Sequence, residues 1–90
     1  ARPRPDPLAV TDAAIRARIV QTCGARGPDK TCCPSDIARG LAEDWRALMP
    51  RVRAQAGYLA HEGRIEIRQN GQAVDIATAR GPIRLALADH

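Results

Sequence analysis

The hydrophobic period of the chain changes from helical to alternating at Gly63, and this change limits the fold more than any other feature. Before Gly63 the apolar residues recur at steps of three and four, which predicts one buried stripe on a helix: Met49, Val52, Ala56 and Leu59. Pro50 suits the first position of that helix and Gly63 its C-terminal end, so the predicted helix covers 50–62. The next residues alternate, which predicts a strand with Ile65 and Ile67 inward.

An Asn70-Gly71 pair follows this strand and is a strong signal for a two-residue hairpin turn. The register that such a turn sets places the aliphatic residues of both strands on one face. The predicted pairs are Gln69 with Gln72, Ile67 with Val74, and Ile65 with Ile76. A third alternating run, at 83–87, predicts a further strand with Ile83, Leu85 and Leu87 inward. The pattern leaves open which strands form the outer hairpin.

The N-terminal part of the chain predicts a lead-in and one long helix. Residues 1–10 are rich in Pro and Arg and are expected to be flexible, ahead of a single domain over 11–90. Thr11 or Asp12 caps the long helix, which is predicted to end at Gly24. Its apolar side is formed by Ile15, Ile19, Val20 and Cys23. A short strand is placed at 30–32.

A second, shorter helix is predicted to begin at Pro34, and its apolar side is formed by Ile37, Ala38 and Leu41. Asp44 can cap a single turn over 45–48. Trp45, the only tryptophan, is expected to pack between the helices as core, with a role in stacking on nucleotides as the alternative.

The order along the chain is therefore helix, short strand, helix, helix and three strands. This order is typical of a winged helix-turn-helix domain. The predicted fold is α+β, with three helices packed on a small antiparallel sheet that carries a hairpin wing.

Three segments of the chain carry a resemblance to a known family: CPSDIARGL, DWRALMPRVRAQAGYLAHEGRIEIRQNGQAVD and ARGPIRLAL. They resemble the domain-of-unknown-function 3253 family, small bacterial winged-helix-like proteins, over Thr11 to Leu87. The resemblance implies the winged-helix fold and a bacterial source. The family has no assigned activity to carry over. Its motif positions here are of residue types that start helices, cap them or form turns: Cys33, Pro34, Trp45, Arg46, Pro50, Gly63, Gly81 and Pro82.

The net charge of +4 is unevenly placed. Between Arg46 and Arg84 there are seven arginines and three acidic residues, so the excess coincides with the predicted third helix and the wing. A basic region of this kind is the electrostatic footprint of a nucleic-acid binder. The alternative is that a GC-rich genome makes Arg and Ala abundant for coding reasons.

The sequence therefore favours duplex DNA as the ligand, bound through helix 50–62 and the wing over 64–87. Base edges would be read in the major groove by Arg51, Gln55 and Tyr58. Arg46 and Arg53 would contact phosphates near the turn, and Arg68, with Asn70 and Gln72 or with Arg80, would form the wing contact. The scarcity of aromatic residues argues against single strands. A single copy would read a short half-site, so a homodimer is one route to useful affinity.

The opposing hypothesis is a protein-interaction module without nucleic-acid or catalytic activity, because winged helices also pack against proteins. The distribution of the arginines on the surface distinguishes the two hypotheses. Arg51, Arg53, Arg68 and Arg84 gathered on one surface would favour DNA. The same arginines dispersed, or paired with acids, would favour a protein partner.

Other chemistry is weakly indicated. Cys23, Cys32 and Cys33 are an odd number in a chain without an export signal, so reduced thiols and a cytoplasmic location are expected. Cys32 and Cys33 are adjacent, which is poor geometry for zinc, and no metal or other cofactor is predicted. Enzymatic activity is not expected; a deep pocket holding Cys33 and His61 would revive it. No apolar run reaches the length of a membrane span.

Overall fold

The computed structural model describes residues 7–88 and contains three helices and a small sheet. The helices are α1 (Asp12–Arg26), α2 (Pro34–Leu41) and α3 (Met49–His61), and the strands are β1 (Ile65–Gln69), β2 (Gln72–Ala73) and β3 (Arg84–Leu87). Single 3-10 turns form at Pro7–Ala9 and Trp45–Leu48. The predicted α+β class is confirmed, and the arrangement is consistent with a winged helix.

The sheet is antiparallel with strand order β2-β1-β3. On the far side of β3, Cys32 and Leu85 exchange two backbone hydrogen bonds of 2.8 Å each. The short strand predicted between the first two helices is therefore confirmed as this single bridge. Ile67 lies opposite Leu85 on the other side, so β3 is paired along both edges.

The hairpin turn has the predicted register at its tip. Gln69 pairs with Gln72, and the N–H of Val74 donates to the carbonyl of Ile67 at 2.8 Å. Asn70 and Gly71 both have positive φ, 52° and 78°, as a two-residue hairpin with this hand requires.

The predicted pairing of Ile65 with Ile76 is wrong. Ile65 pairs with Leu87 of β3, and the chain leaves β2 in a turn at Asp75. The Asp75 carboxylate accepts from the N–H of Ala77 at 2.9 Å, and its carbonyl accepts from the N–H of Ala79 at 2.8 Å. This turn directs Ile76 away from the sheet and toward α3. The outer wing is consequently the β1–β2 hairpin and the connection over 74–83.

The core is aliphatic and lies between the three helices and one face of the sheet. Its fully buried side chains come from every layer: Ile15, Ile19, Ile37, Leu48, Val52, Leu59, Ile67 and Leu85. Trp45 is only half-buried at the edge of this core, so its predicted place inside is only partly correct.

The ends of α1 differ from the prediction in detail. The Thr11 hydroxyl accepts from the N–H of Ala14 at 3.0 Å, which confirms the cap. The helix continues past Gly24 to Arg26, and Gly27 ends it with φ 79° while its N–H donates to the carbonyl of Cys23. Val10, expected in the lead-in, is a buried core residue. Pro7–Ala9, also expected in the lead-in, form a 3-10 turn. The part of the lead-in prediction that covers residues 1–6 lies outside the described residues.

Leu85→Ala tests the central position of β3. We expect it to lower the free energy of unfolding by about 2–5 kcal/mol, because it leaves a cavity where the helices meet the sheet. Leu8→Ala makes the same chemical change at a side chain that is 93% exposed and should cost about 0.5 kcal/mol or less. Urea denaturation followed by Trp45 fluorescence measures both values. Equal losses would contradict the assigned core.

Candidate nucleic-acid interface

The outer face of α3 forms one wall of an open groove. Val52, Ala56 and Leu59 are buried on the inner side of the helix, whereas Tyr58 is 59% exposed on the outer side. The wing segment 75–77 forms the opposite wall, and the space between them is about 510 Å³. The groove is lined by Pro50, Arg53, Ala54, Gly57, Tyr58, His61, Asp75, Ile76 and Ala77. Of the predicted site residues, Arg53 and Tyr58 therefore lie where a ligand can reach them.

Gly57 allows the wing to approach α3 closely. A β-carbon at this position would lie 2.9 Å from Cγ2 of Ile76, closer than real β-carbon contacts. A glycine inside a helix costs about 1 kcal/mol relative to alanine, so the close approach has a definite cost in helix propensity. The half-buried Ile76 is thereby packed against the helix that the sequence assigns to recognition.

Gln55 was expected on the outer face of α3, and this placement is wrong. Its side chain is 8% exposed and lies on the inner side with Val52 and Ala56. The core contacts a wider arc of the helix than the single stripe that the spacing predicts. Gln55 is therefore not placed to reach a base edge.

Arg51 is engaged within the protein. Its guanidinium donates to the carbonyls of Pro7 at 3.1 Å and Val10 at 2.6 Å, and it forms an ion pair of 2.9 Å with Asp12. Arg51 thus fastens the segment before α1 onto the start of α3. The predicted base contact would require these bonds to break.

Arg68 and Arg84 hold the loop between α1 and α2. Arg68 pairs with Glu66 at 2.8 Å and donates to the carbonyl of Pro28 at 3.0 Å. Arg84 donates to the Thr31 hydroxyl at 2.9 Å and to Sγ of Cys33 at 2.6 Å. Of the four arginines whose grouping would favour DNA, Arg51, Arg68 and Arg84 make contacts within the protein. Only Arg53 faces the groove, so the four do not form one cationic surface.

Arg39 is a candidate that the sequence reasoning did not single out. Its guanidinium carbon lies 4.6 Å from the centroid of the Trp45 ring, and that of Arg46 lies 4.4 Å from the same centroid. Both arginines are exposed. Within residues 7–88 neither has an ion-pair partner, although Glu43 and Asp44 are close in sequence. Arg39 and Trp45 belong to different elements, so no periodicity in the sequence could have paired them.

Arg80 is exposed on the wing, and its carbonyl accepts from Nε2 of Gln69 at 2.6 Å. Its guanidinium has no partner in the part of the chain that the structure describes. Arg80 and Arg46 therefore remain available, together with Arg53 and Tyr58, from the predicted set.

The cysteines and histidine do not form a common site. His61 lines the groove, whereas Cys33 lies at the start of α2, where its N–H donates to the Asp36 carboxylate at 3.1 Å. Contact with Cys32, together with burial, raises the pKa of the Cys23 thiol and keeps it protonated. Among the described residues, no cluster of His, Cys, Asp or Glu is placed to hold a metal ion. None of the helices within 7–88 has the length and apolar character needed to cross a membrane.

One further ion pair ties α1 to the end of α3. Arg16 lies 2.8 Å from Glu62, and this guanidinium lowers the pKa of the Glu62 carboxyl group. Both side chains are partly exposed, so the pair adds little to stability. Glu62 therefore stays ionised, and its negative charge is offset by Arg16.

Comparison with known protein families gives one match over most of the chain. The family model described as "Protein of unknown function (DUF3253)" matches residues 12–88. The chain belongs to this family. No curated protein matches the chain. Within the matched region of this DUF3253 protein lie α1 to α3, the sheet and the groove.

Arg51→Ala tests the internal role of Arg51. We expect a loss of about 1–2 kcal/mol in the free energy of unfolding, because the Val10 carbonyl loses its donor, and faster hydrogen exchange at the start of α1. Arg53→Ala removes the same charge two residues away, from a side chain without such bonds, and should change stability by about 0.5 kcal/mol or less. Similar effects of the two substitutions would contradict the fastening role.

Gly57→Ala tests the packing of the wing on α3. In an Ile76→Ala background the substitution should raise the free energy of unfolding by about 1 kcal/mol, through helix propensity alone. In the wild type this gain should be reduced or reversed, because the new β-carbon meets Cγ2 of Ile76. A double-mutant cycle by urea denaturation measures the coupling. The same gain in both backgrounds would show that Ile76 does not pack there.

Proposed function

We propose that this DUF3253 protein binds duplex DNA, mainly through phosphate contacts made by the α2–α3 junction and the outer face of α3. The observation that supports this most is the group of unpaired cations there. Arg39 and Arg46 meet at Trp45 without a carboxylate partner among residues 7–88. Arg53 lies further along the chain, on α3, where it lines the groove. In helix-turn-helix proteins the first helix of the motif crosses the DNA backbone while the second enters the major groove, and α2 and α3 would take these two places.

The proposed contacts differ from those that the sequence alone indicates. Tyr58 and His61, with Arg53, would face the major groove from α3, and Arg80 would reach the backbone from the wing. Gln55 is buried, and Arg51 and Arg68 hold other parts of the protein, so few groups remain to read base edges. The expected binding is therefore strongly dependent on salt and weakly dependent on sequence.

The proposal places the protein in the bacterial cytoplasm, where DNA is accessible and thiols such as Cys33 remain reduced. One copy offers only a short contact surface, so a homodimer would raise the affinity for a longer site.

Fluorescence anisotropy of a labelled duplex, titrated at several salt concentrations, tests this function. Binding should weaken linearly in a plot of log affinity against log salt. Arg53→Ala should reduce the magnitude of that slope by about 0.9, the value for one lost phosphate contact. Arg64→Ala is the matched control, because Arg64 is exposed beside α1, in a different pocket from the groove.

The outcomes separate clearly. A slope change with Arg53→Ala and none with Arg64→Ala supports binding through α3. Equal changes would indicate diffuse attraction without a defined surface. No binding by the wild type at low salt would exclude duplex DNA as the ligand.

A protein-interaction module is the second candidate, and the internal use of Arg51, Arg68 and Arg84 favours it. The groove would then take a segment of another protein against Tyr58 and Ile76. A partner retained by the wild type and lost with Tyr58→Ala, at salt concentrations that abolish DNA binding, would support this reading.

A further inference from the structure

We infer that Arg39, Trp45 and Arg46 form a site for a single phosphate group, which on duplex DNA is a backbone phosphodiester. This inference rests on the proposed function for its source of phosphate, but the site itself is argued from geometry. It assigns a ligand to three side chains that two different elements, α2 and the 3-10 turn before α3, bring together.

The first step is the distance between the two charges. Each guanidinium carbon lies within 4.6 Å of the Trp45 centroid, so the two carbons are no more than about 9 Å apart. In the proposed site the phosphate oxygens accept N–H bonds of about 2.8 Å from both guanidiniums beside the ring. The indole holds each guanidinium by attraction of the cation to the ring and limits its freedom before the ligand arrives.

The second step is the lack of an internal anion. Like charges this close repel each other, and Arg16, Arg51 and Arg68 each have a carboxylate within the protein that offsets their charge. Arg39 and Arg46 have no acidic partner between residues 7 and 88, and both are exposed. An external anion would relieve the repulsion, and arginine binds phosphate through paired hydrogen bonds.

The third step is the position of the site. Arg46 precedes α3 by three residues, and Pro50 and Arg53 line the groove along the first turns of that helix. A phosphodiester held at Trp45 would therefore lie at the end of the α3 face that is proposed to enter the major groove. The site would fix the position of the helix on the backbone without reading sequence.

Trp45 is the only tryptophan, so its fluorescence reports directly on the site. The full chain is titrated with inorganic phosphate, against sodium chloride at equal ionic strength. A saturable change with phosphate and none with chloride is expected. Arg39→Gln and Arg46→Gln should each weaken the midpoint about tenfold, the loss of one charge-assisted hydrogen bond. Arg39→Lys, which keeps the charge, should retain part of the affinity, and Arg64→Gln should retain all of it.

The second experiment measures the binding of a DNA duplex by the same variants at several salt concentrations. Arg39→Gln should reduce the magnitude of the salt slope by about 0.9, with Arg64→Gln as the unchanged control. Saturable phosphate binding without duplex binding would uphold the site and overturn the proposed function. Duplex binding that neither Arg39→Gln nor Arg46→Gln alters, with no saturable response to phosphate, would overturn the site and leave the proposed function standing.

Discussion

The two backbone hydrogen bonds between Cys32 and Leu85 join the loop after α1 to the last strand, and much of the architecture depends on them. They pair the outer edge of β3 at Leu85, and Ile67 of β1 lies opposite Leu85 on the inner edge. This leaves β2 at the open edge with only two paired residues. The connection from β2 must then return across the end of the sheet to reach β3. The turn at Asp75 begins that return and brings Ile76 against Gly57 of α3.

Arginine supplies much of the polar framework of this small fold. Arg51 holds the segment before α1, and Arg68 and Arg84 hold the loop that leads into α2. In each case a guanidinium donates to backbone carbonyls or hydroxyls that the helices and strands leave unpaired. A chain with no Phe and one Trp has few large side chains to pack over such loops. The positive charge of the sequence is therefore partly structural, and net charge alone overstates the cationic surface.

The arginines that make no such internal contacts include three that lie beside Trp45 or the groove. Arg39 and Arg46 converge on Trp45, and Arg53 faces the groove beside Tyr58. This arrangement suits contact with a backbone of phosphates better than recognition of base edges, because it offers cations and few directed polar groups. The wing segment 75–77 forms the opposite wall of the groove, which limits how deeply α3 can enter a ligand. A protein segment would meet the same surface with its apolar wall of Ile76 and Ala77.

The sequence by itself determined the local elements. Proline at the helix starts, the Asn70-Gly71 turn and the change of period at Gly63 act through backbone sterics and burial of neighbouring residues, so they predicted the helices, the strands and the register at the tip. The tertiary structure decided how wide the buried face of α3 is and where the chain runs after β2. Gln55 is buried because the core contacts a wide arc of α3. Ile76 does not pair with Ile65 because the chain turns after β2 to return to β3. The roles of Arg51, Arg68, Arg39 and Trp45 depend on partners distant in sequence, and no local pattern encodes such contacts.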